Sequence, residues 1–487
     1  MTVRRLSVLA LALAAAVAAA ASARGGERPA TLVQLRPGAP PWAAPRLRAT
    51  GATLVVPQLR LWKVRSSAVV HALAASRSLA FAERERTYAV AAAAAVPSDP
   101  LADEEWWRAA VRVDTLEPPG PGVPVTIVDS GLFFDHPEFA GRPNVVALNN
   151  QEPAPIGGVH GTAVASVVGA PVNGVGVVGI YPEASLRIFD ASLGDGTRLP
   201  ASDIARGIAA AADKGPSVIN LSLGGPGHDR AIDAAVALAV RRGSLVVAAS
   251  GNSGDEGNEI SYPGANAHVL TVGATDETDT PVPFTTRSPY VDLAAPGVDI
   301  PVASALDRGW RAEDGTSFSS PIVAGAAAWL WTARPTLDAG QVAEILRRSA
   351  RDVGAPGYDQ ASGYGILDMT AALAAPTPTP DTAEPNDDTG SASTLTTKTR
   401  VARAVVARVQ AFEDPRDVYR VWLPARKTLS VGVSSDGVGV SVAGVARSGK
   451  EFALSVRNRA AARSVFLTVT PQRGVRDAAY TLKVSAA

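Results

Sequence analysis

The feature that most constrains the fold is an alternation of short apolar segments with alanine-rich stretches between residues 123 and 374. The clearest apolar segments are bounded by Gly or Pro and have the length of buried β-strands. They lie at 125–128, 186–189, 218–221, 245–248 and 268–272. Strands that alternate with helices at this spacing form a mostly parallel sheet with helices on both faces. We therefore expect an α/β domain over residues 93–374.

A different pattern precedes this domain. Residues 24–92 hold short apolar segments at 31–34, 59–64 and 79–82, with a helix-like stretch at 68–75. Such short elements with mixed periodicity predict a small α+β unit.

A third pattern follows the α/β domain. Residues 375–383 are rich in Pro and Thr, which favours an extended linker that is hard to fold into a core. Residues 384–487 then contain only short runs with strand alternation, separated by turn residues. This arrangement predicts an antiparallel β-sandwich.

The amino terminus has the pattern of an export signal. Arg4 and Arg5 precede an apolar run that ends in the small residues Ala21, Ser22 and Ala23, which is typical of a signal peptide over residues 1–23. A membrane-spanning helix is the alternative, but it would need about 20 apolar residues and no cleavage pattern. Because no further apolar stretch of spanning length follows, we expect a secreted, extracellular protein without a stable membrane anchor.

Composition excludes several classes of function. The chain has no cysteine, which rules out a disulfide framework, a thiolate zinc site and a cysteine nucleophile. Its 46 Lys and Arg balance its 46 Asp and Glu, so it lacks the broad positive field that nucleic-acid binding usually needs. We expect no nucleic-acid partner, and any covalent chemistry must use oxygen or nitrogen groups.

Four polar residues stand where an α/β sheet places its ligands. Asp129 closes a predicted strand, His160 opens a helix of small residues, Ser317 precedes an apolar helix, and Asn252 follows a strand. Taken alone, each has an ordinary structural explanation: a turn former, a packed or capping histidine, a helix cap and a turn residue.

Taken together, the same residues supply the parts of a covalent mechanism. A serine hydroxyl needs a base, an imidazole is the best base, and a buried carboxylate fixes the imidazole tautomer. Asp129, His160 and Ser317 provide these groups. The Asn252 amide and the backbone N–H of Ser317 could stabilise the developing oxyanion.

Over roughly residues 99–374 the chain resembles the subtilisin-like serine peptidases, the subtilase or S8 family. The motifs that carry the resemblance are Asp129-Ser130-Gly131, His160-Gly161-Thr162, Ser222-Leu223-Gly224-Gly225, Gly251-Asn252, Ala295-Pro296-Gly297 and Gly315-Thr316-Ser317-Phe318-Ser319-Ser320-Pro321. The resemblance implies that Asp129 orients His160, that His160 acts as general base and then acid, that Ser317 attacks, and that Asn252 binds the oxyanion.

The resemblance also implies a substrate-binding set. Its members are Ser222, Leu223, Gly224, Ser250, Gly251 and Ser261. The first three would pair with the substrate backbone, and the next two would form the other wall of the primary specificity pocket. The last is a small residue at the pocket floor that would admit large apolar side chains. After Phe284 the chain departs from the family pattern, so we expect residues 285–288 to be a surface loop with no transferable role.

A glycine-rich segment at 174–179 has the spacing GxGxxG, but the helix precedes it and the strand follows, the reverse of a dinucleotide site. In the subtilase family this loop holds a structural calcium ion, and the matching positions here are Glu138 and Asn173. The alternative is an ordinary glycine-rich loop with Glu138 in solvent. We expect no cofactor for the chemistry, and the resemblance implies a structural calcium ion at this loop. His268, like the other lone histidines, lacks metal-like spacing.

The acidic segment 381–388 predicts a solvated boundary. Within it, Glu384-Pro385-Asn386-Asp387, followed further along by Asp417-Val418-Tyr419, resembles the start of the bacterial pre-peptidase C-terminal domain of secreted peptidases.

The sequence as a whole predicts a monomeric, self-processing endopeptidase that acts on protein or peptide substrates. Residues 24–92 resemble the inhibitory propeptide of the family, which would make the chain's own propeptide a partner. One alternative is an inactive binding protein on a peptidase fold, which is disfavoured because all four chemical positions are intact. Another is a lipase or esterase of the α/β-hydrolase type, which would need GxSxG and the order Ser, Asp, His.

Overall fold

The computed structural model describes residues 30–36, 38–56, 60–84, 99–150, 159–192, 198–381, 383–387, 389–400 and 402–486. The predicted signal peptide at 1–23 lies outside these residues, as does most of the stretch between the first two domains. Within the described ranges, no helix is both long enough and apolar enough to cross a bilayer. The chain divides into two compact units, the first of which ends before residue 95.

The first unit has the expected α+β character. Its elements are β1 (Thr31–Leu35), α1 (Ala43–Ala49), β2 (Thr53–Val56), β3 (Leu61–Val64), α2 (Ser67–Ala75) and β4 (Leu79–Arg84). The strands form a four-stranded antiparallel sheet in the order β2-β3-β1-β4. Val33 and Trp62 of the sheet pack with Leu47 of α1 and Leu73 of α2 to form its core.

The second unit begins with an α/β region. Its strands are β5 (Val125–Asp129), β6 (Val145–Ala147), β7 (Leu186–Asp190), β8 (Val218–Leu221), β9 (Leu245–Ala249), β10 (Val269–Thr275), β11 (Leu293–Pro296), β12 (Ile300–Ala303) and β13 (Trp310–Glu313). Its helices are α3 (Trp106–Ala110), α4 (Val159–Gly169), α5 (Ala201–Asp213), α6 (Arg230–Arg241), α7 (Thr316–Ala333), α8 (Ala339–Ser349) and α9 (Met369–Ala374).

The main sheet is parallel and has seven strands in the order β11-β10-β9-β8-β5-β7-β6. After β5 the chain forms β6 and β7 on one side of that strand, and it then crosses to form β8 on the other side. The crevice at the carboxyl end of β5 is therefore the place where such sheets bind ligands. The predicted strand at 268–272 begins only at Val269, since His268 has a φ of 60°.

Helices cover both faces of this sheet, as predicted. Ile127 of β5 packs with Ile322 of α7 in one core, whereas its neighbour Val128 packs with Ile208 of α5 in the other. Adjacent residues of a strand point to opposite faces, so the two cores lie on opposite sides of the sheet.

The remainder of the second unit is a β-sandwich. Its strands are β14 (Ser393–Thr394), β15 (Ala402–Gln410), β16 (Asp417–Leu423), β17 (Thr428–Val442), β18 (Val445–Arg457), β19 (Arg463–Pro471) and β20 (Asp477–Ala486). The long strand β17 pairs first with β20 and, after an irregularity between Ser434 and Val438, with β19. This change of partner turns one sheet into two layers, which enclose an apolar core that includes Tyr419 and Leu467.

The Pro/Thr-rich segment between the two regions lies against the α/β region. Arg334 donates hydrogen bonds to Ala375 O at 2.8 Å and to Thr377 Oγ1 at 2.6 Å, and Gln341 donates to Pro378 O at 2.6 Å. The residues of this segment that the structure describes form neither helix nor strand, but these side chains hold the segment in place.

Candidate active site

A carboxylate and an imidazole meet at the carboxyl end of β5. Asp129 is the last residue of that strand and is buried, and its Oδ1 and Oδ2 lie 2.9 and 3.0 Å from His160 Nδ1. His160 stands in the first turn of α4. The next residue, Gly161, packs so tightly that a Cβ there would lie 2.1 Å from Gly131 O. Only glycine therefore allows α4 to bring the imidazole this close to the strand.

The Asp129 carboxylate sets the electrostatics of the imidazole. Loss of surrounding water lowers the pKa of His160, but the charge of Asp129 and its hydrogen bond outweigh this, so the pKa lies above the ordinary 6.5. In the neutral ring, a proton on Nδ1 that is shared with Asp129 leaves Nε2 as the acceptor. The imidazole side chain is 37% exposed, so Nε2 is open to a reactant.

Ser317 lies at the start of the buried helix α7, across the same cavity. Its hydroxyl donates to Ser222 O at 3.3 Å, and the Ser222 hydroxyl donates back to Ser317 O at 2.7 Å. Within the described residues no hydrogen bond joins Ser317 to His160. Hydrogen bonds of this kind commonly align only when substrate is bound.

A buried chain of polar side chains fixes the backbone of Ser317. The Ser320 hydroxyl donates to Asn220 Oδ1 at 2.7 Å, and Asn220 Nδ2 donates to Ser222 Oγ at 2.9 Å. Ser222 in turn holds Ser317 O. The sequence assigned no role to Asn220 or to Ser320, although Ser320 belongs to a quoted motif. The signal that could have marked Asn220 is that it is the single polar residue in strand β8, which is otherwise apolar.

The Asn252 side chain is oriented by the residue before Ser317. Asn252 Oδ1 accepts hydrogen bonds from Thr316 N at 3.0 Å and Thr316 Oγ1 at 2.7 Å. Because the carbonyl is occupied, the Nδ2 hydrogens are left for a ligand in the cavity. Thr316 belongs to a quoted motif, but the sequence assigned it no role.

The loop that carries Asn252 is supported by residues that we expected to be on the surface. Thr285, Thr286 and Ser288 are buried, so the prediction of a surface loop is wrong for these three residues and holds only for Arg287. Thr286 N donates to Gly251 O at 2.9 Å, and Ser253 N donates to Thr286 Oγ1 at 3.3 Å. Thr286 therefore supports the turn that carries Asn252 from the inside.

The cavity beside these groups has a volume of about 540 Å³. It is lined by all four proposed catalytic residues and by most of the predicted substrate-binding set, namely Ser222, Leu223, Gly224, Gly251 and Ser261. Ser250 is different: it is fully buried and lies behind the lining, where its carbonyl accepts a hydrogen bond from Tyr290. Leu199, Glu259 and Ile260 also line the cavity, but no sequence motif marks them.

Ser261, at the floor of the cavity, lies close to both Gly224 and Gly251. Gly251 has a φ of 107°, and a Cβ there would lie 2.7 Å from Ser261 Cβ. Glycine is therefore needed at this position both for its backbone conformation and for space.

The structure brings Glu138 and Asn173 together. Glu138 is fully buried, so the alternative that placed it in solvent is wrong. Its Oε1 accepts from Val177 N at 3.0 Å and Trp310 Nε1 at 2.7 Å, and its Oε2 accepts from Asn173 Nδ2 at 3.4 Å. Burial raises the pKa of Glu138 to about 7. Asn173 Oδ1 accepts from Val175 N, so the amide oxygen is already used.

Two further acids, which the sequence did not suggest, hold the same glycine-rich loop. Asp99 Oδ1 accepts from Gly174 N at 2.6 Å, whereas Asp99 Oδ2 is buried and has no hydrogen-bond partner among the described residues. Glu105 accepts from Val178 N at 3.0 Å, and burial raises its pKa to about 8. A cation would satisfy the unpartnered oxygen of Asp99 and lower the cost of burying these carboxylates.

A second acidic group lies where the sandwich meets the α/β region. Two sets of side chains have ligand atoms within 4.8 Å of one another: His268, Glu384 and Asp387, and Asp381, Glu384 and Asp417. Glu384 Oε2, Asp414 Oδ1 and Asp417 Oδ1 are buried without a hydrogen-bond partner among the described residues.

This group corrects one prediction. None of the described residues of 381–387 is exposed and Asn386 is fully buried, so the acidic segment is not a solvated boundary. His268, which lacks metal-like spacing along the chain, has its Nε2 2.8 Å from Asp387 Oδ1. Spacing along the chain missed this contact because the two residues belong to different regions.

Comparison with known proteins gives consistent matches over the α/β region. The model of the subtilase family of peptidases matches residues 120–365. Subtilisin BL of Lederbergia lenta is 35% identical over 253 residues, which cover 52% of this chain and 91% of that protein. Subtilisin DY of Bacillus licheniformis is 36% identical over 258 residues, with the same coverage of both chains. Among solved structures, S41 psychrophilic protease aligns with a TM-score of 0.47 and 29% identity, covering 56% of this chain and 99% of that one.

Proposed function

The chain belongs to the subtilase family and is a serine-type endopeptidase, and we propose that Asp129, His160 and Ser317 hydrolyse peptide bonds through an acyl-enzyme. The observation that carries this proposal is the Asp129–His160 contact of 2.9 Å in the cavity that Ser317 also lines.

In the proposed mechanism, Ser317 Oγ attacks the carbonyl carbon of the scissile bond while His160 Nε2 takes the hydroxyl proton. Asp129 holds the imidazole tautomer and stabilises the imidazolium that forms. The oxyanion is bound by Asn252 Nδ2 and by the backbone N–H of Ser317. His160 then gives its proton to the leaving amine. Water repeats the same steps on the ester to release the acid.

We propose that an extended segment of a protein or peptide substrate lies along Ser222, Leu223 and Gly224. The residue before the scissile bond would enter the space between Gly251 and the small floor residue Ser261. Support for this pocket comes from its volume and from the small lining residues Gly224, Gly251 and Ser261, and the charged residue Glu259 also lines the cavity. A large apolar side chain fits such a space best.

The protein is proposed to be secreted and to mature by cutting itself. Residues 1–23 would be removed on export, and residues 24–92 would serve as a foldase and cleft inhibitor until the catalytic unit releases them. The active form would be a monomer. Purified Ser317→Ala should keep the N-terminal unit attached, whereas the wild type should show a new N-terminus between Tyr88 and Glu104. An active wild type that begins at Arg24 would contradict this maturation.

The reaction itself needs no cofactor, and we propose that any calcium bound is structural. Two groups suit it chemically: the acids around the glycine-rich loop, which include Asp99 and Glu138, and the group that contains Glu384 and Asp417. Both offer buried carboxylate oxygens without a partner, and oxygen donors are what Ca²⁺ prefers. Calcium at about 100 times its Kd should add about 2.7 kcal/mol to the free energy of unfolding.

The thermal midpoint of unfolding, measured with calcium and with a chelator, tests this proposal. Asp99→Asn and Asp417→Asn, examined separately, show which group contributes. A midpoint that is the same with calcium and chelator in the wild type would contradict calcium binding at either place.

A fluorophosphonate label tests the enzyme assignment. The wild type should be labelled at Ser317 and should cleave casein. An inactive binding protein would remain unlabelled, and an esterase would be labelled without cleaving casein.

A further inference from the structure

A buried tyrosine joins two parts of the cavity wall. The Tyr290 hydroxyl donates to Ser250 O at 3.2 Å and accepts from Ser261 N at 3.1 Å. Tyr290 is itself buried and does not line the cavity. Its hydroxyl therefore links Ser250, which follows strand β9, to Ser261 at the floor of the pocket.

The backbone on either side of Tyr290 is held by an arginine of the β-sandwich. Arg476 Nη1 donates to Pro289 O, and Arg476 Nη2 lies 3.4 Å from Val291 O. A single guanidinium thus contacts the carbonyl groups both before and after Tyr290. The planar fork of arginine suits two acceptors at once in a way that lysine does not.

The guanidinium is fixed on its other side. Its carbon lies 3.6 Å from the centre of the Tyr358 ring, with Phe412 and Tyr364 further out. Arg476 Nη2 also donates to Glu413 Oε1 at 2.8 Å, and the Arg476 side chain is only 17% exposed. An arginine held by rings and a buried carboxylate has little freedom to move.

Tyr358 completes the grip on this segment. Its hydroxyl donates to Ser288 O at 3.2 Å, and Ser288 N donates to Gln360 O at 2.8 Å. The segment Ser288-Pro289-Tyr290-Val291 is therefore held at each end, and Arg476 is its contact with the sandwich.

We propose that the β-sandwich fixes the geometry of the primary specificity pocket. Arg476 fixes the backbone around Tyr290, and the Tyr290 hydroxyl fixes the distance between the pocket wall and Ser261. Both are positioning residues, because neither contacts the cavity. The inference rests on the proposed function, which identifies this cavity as the pocket for the residue before the scissile bond.

Tyr290→Phe is the sharpest test, because it keeps the ring and removes only the hydroxyl. The change leaves Ser261 N and Ser250 O without their buried partner, so the floor should loosen. We expect KM for a peptide with Phe before the scissile bond to rise by about tenfold, which is the effect of losing roughly one hydrogen bond. We expect kcat and the rate of fluorophosphonate labelling to change by less than about twofold, because the catalytic groups are not moved.

Arg476→Met tests the contribution of the sandwich. Methionine keeps the apolar contact with Tyr358 but donates no hydrogen bond to the carbonyls. We expect the preference for Phe over Ala before the scissile bond to fall by about threefold, and Arg476→Lys should not restore it, because one ammonium cannot replace the fork.

Two matched controls separate positioning from general loss of stability. Tyr181→Phe removes a hydroxyl that donates to Gly120 O outside the cavity, and Arg473→Met makes the same charge change on an exposed residue near Arg476. Neither should alter the Phe to Ala preference. The inference would be overturned if Tyr290→Phe reacts with the label but keeps the wild-type KM, or if Tyr181→Phe raises KM by the same factor. Either result would leave the proposed function intact. A wild type that resists the label would overturn the proposed function and the inference with it.

Discussion

Asp129 and Asp417 are both buried carboxylates at the end of a β-strand, yet their surroundings differ. Asp129 Oδ1 accepts from Ser130 N, and both of its oxygens face the imidazole of His160. Asp417 Oδ2 accepts from Tyr480, but its Oδ1 has no partner among the described residues. Apart from Tyr480 and Tyr419, the ionisable groups that act on Asp417 are further acids, and burial raises its pKa to about 7.

The difference shows that one residue type can stand in two chemical settings. A buried carboxylate beside a single imidazole is suited to orient a base and to stabilise its charged form. A buried carboxylate among other carboxylates is costly unless a cation joins the group. Burial alone would not have distinguished the two, but the identity of the partner does.

The largest effect expected is on the catalytic side of this comparison. Ser317→Ala removes the proposed nucleophile, so kcat should fall by about a million-fold, a magnitude measured in a subtilisin. The thermal midpoint should remain near that of the wild type. Casein hydrolysis at a rate comparable to the wild type would refute the assignment of Ser317.

Asp129→Asn should have the next largest effect, about ten-thousand-fold on kcat, by analogy with the same change in another triad enzyme. The pH profile gives a second reading. Wild-type kcat/KM should rise as His160 loses its proton, and Asp129 holds that pKa above the ordinary value. Without the carboxylate charge the pKa falls, so the rise of the residual activity should move to lower pH. A rise at unchanged pH would mean that Asp129 does not control His160.

Asn252→Ala should lower kcat by about a hundred- to a thousand-fold with little change in KM, because its amide acts only once the oxyanion forms. Thr316→Val tests the orienting contact and should give a smaller fall in kcat of the same type. Steady-state kinetics on one peptide separate the two constants. A change confined to KM would show that Asn252 binds substrate instead.

The smallest effect on kcat is expected for Asp417, the second carboxylate of the comparison. Asp417→Asn should lower the thermal midpoint of the calcium-loaded protein and narrow its difference from the chelated protein, since a charged ligand is lost. It should not produce the large fall in kcat of Asp129→Asn. Scanning calorimetry and active-site titration on the same samples check both statements. An unchanged calcium response would remove Asp417 from the cation site.

Much of the α/β region could be predicted from the sequence because its information is local. Strand β8 was predicted at the residues where it occurs, since a run of buried residues bounded by turns needs no distant contact to be recognised. The order of Asp129, His160 and Ser317, with their neighbouring glycines and small residues, likewise indicated the chemistry. Each of these residues carries its signal in the few positions around it.

The tertiary structure alone decided which distant side chains meet. Nothing near Thr316 or Tyr290 in the sequence indicates that they contact Asn252 and the pocket floor. Asn220 stands out as a polar residue in an apolar strand, but the sequence does not show that it contacts Ser222. Nothing in the sequence links His268 and Asp387, but the fold of two regions places His268 Nε2 2.8 Å from Asp387 Oδ1. The physical reason is that apolar periodicity is a property of neighbouring residues, whereas hydrogen bonding and burial of charge depend on contacts between residues far apart in the chain.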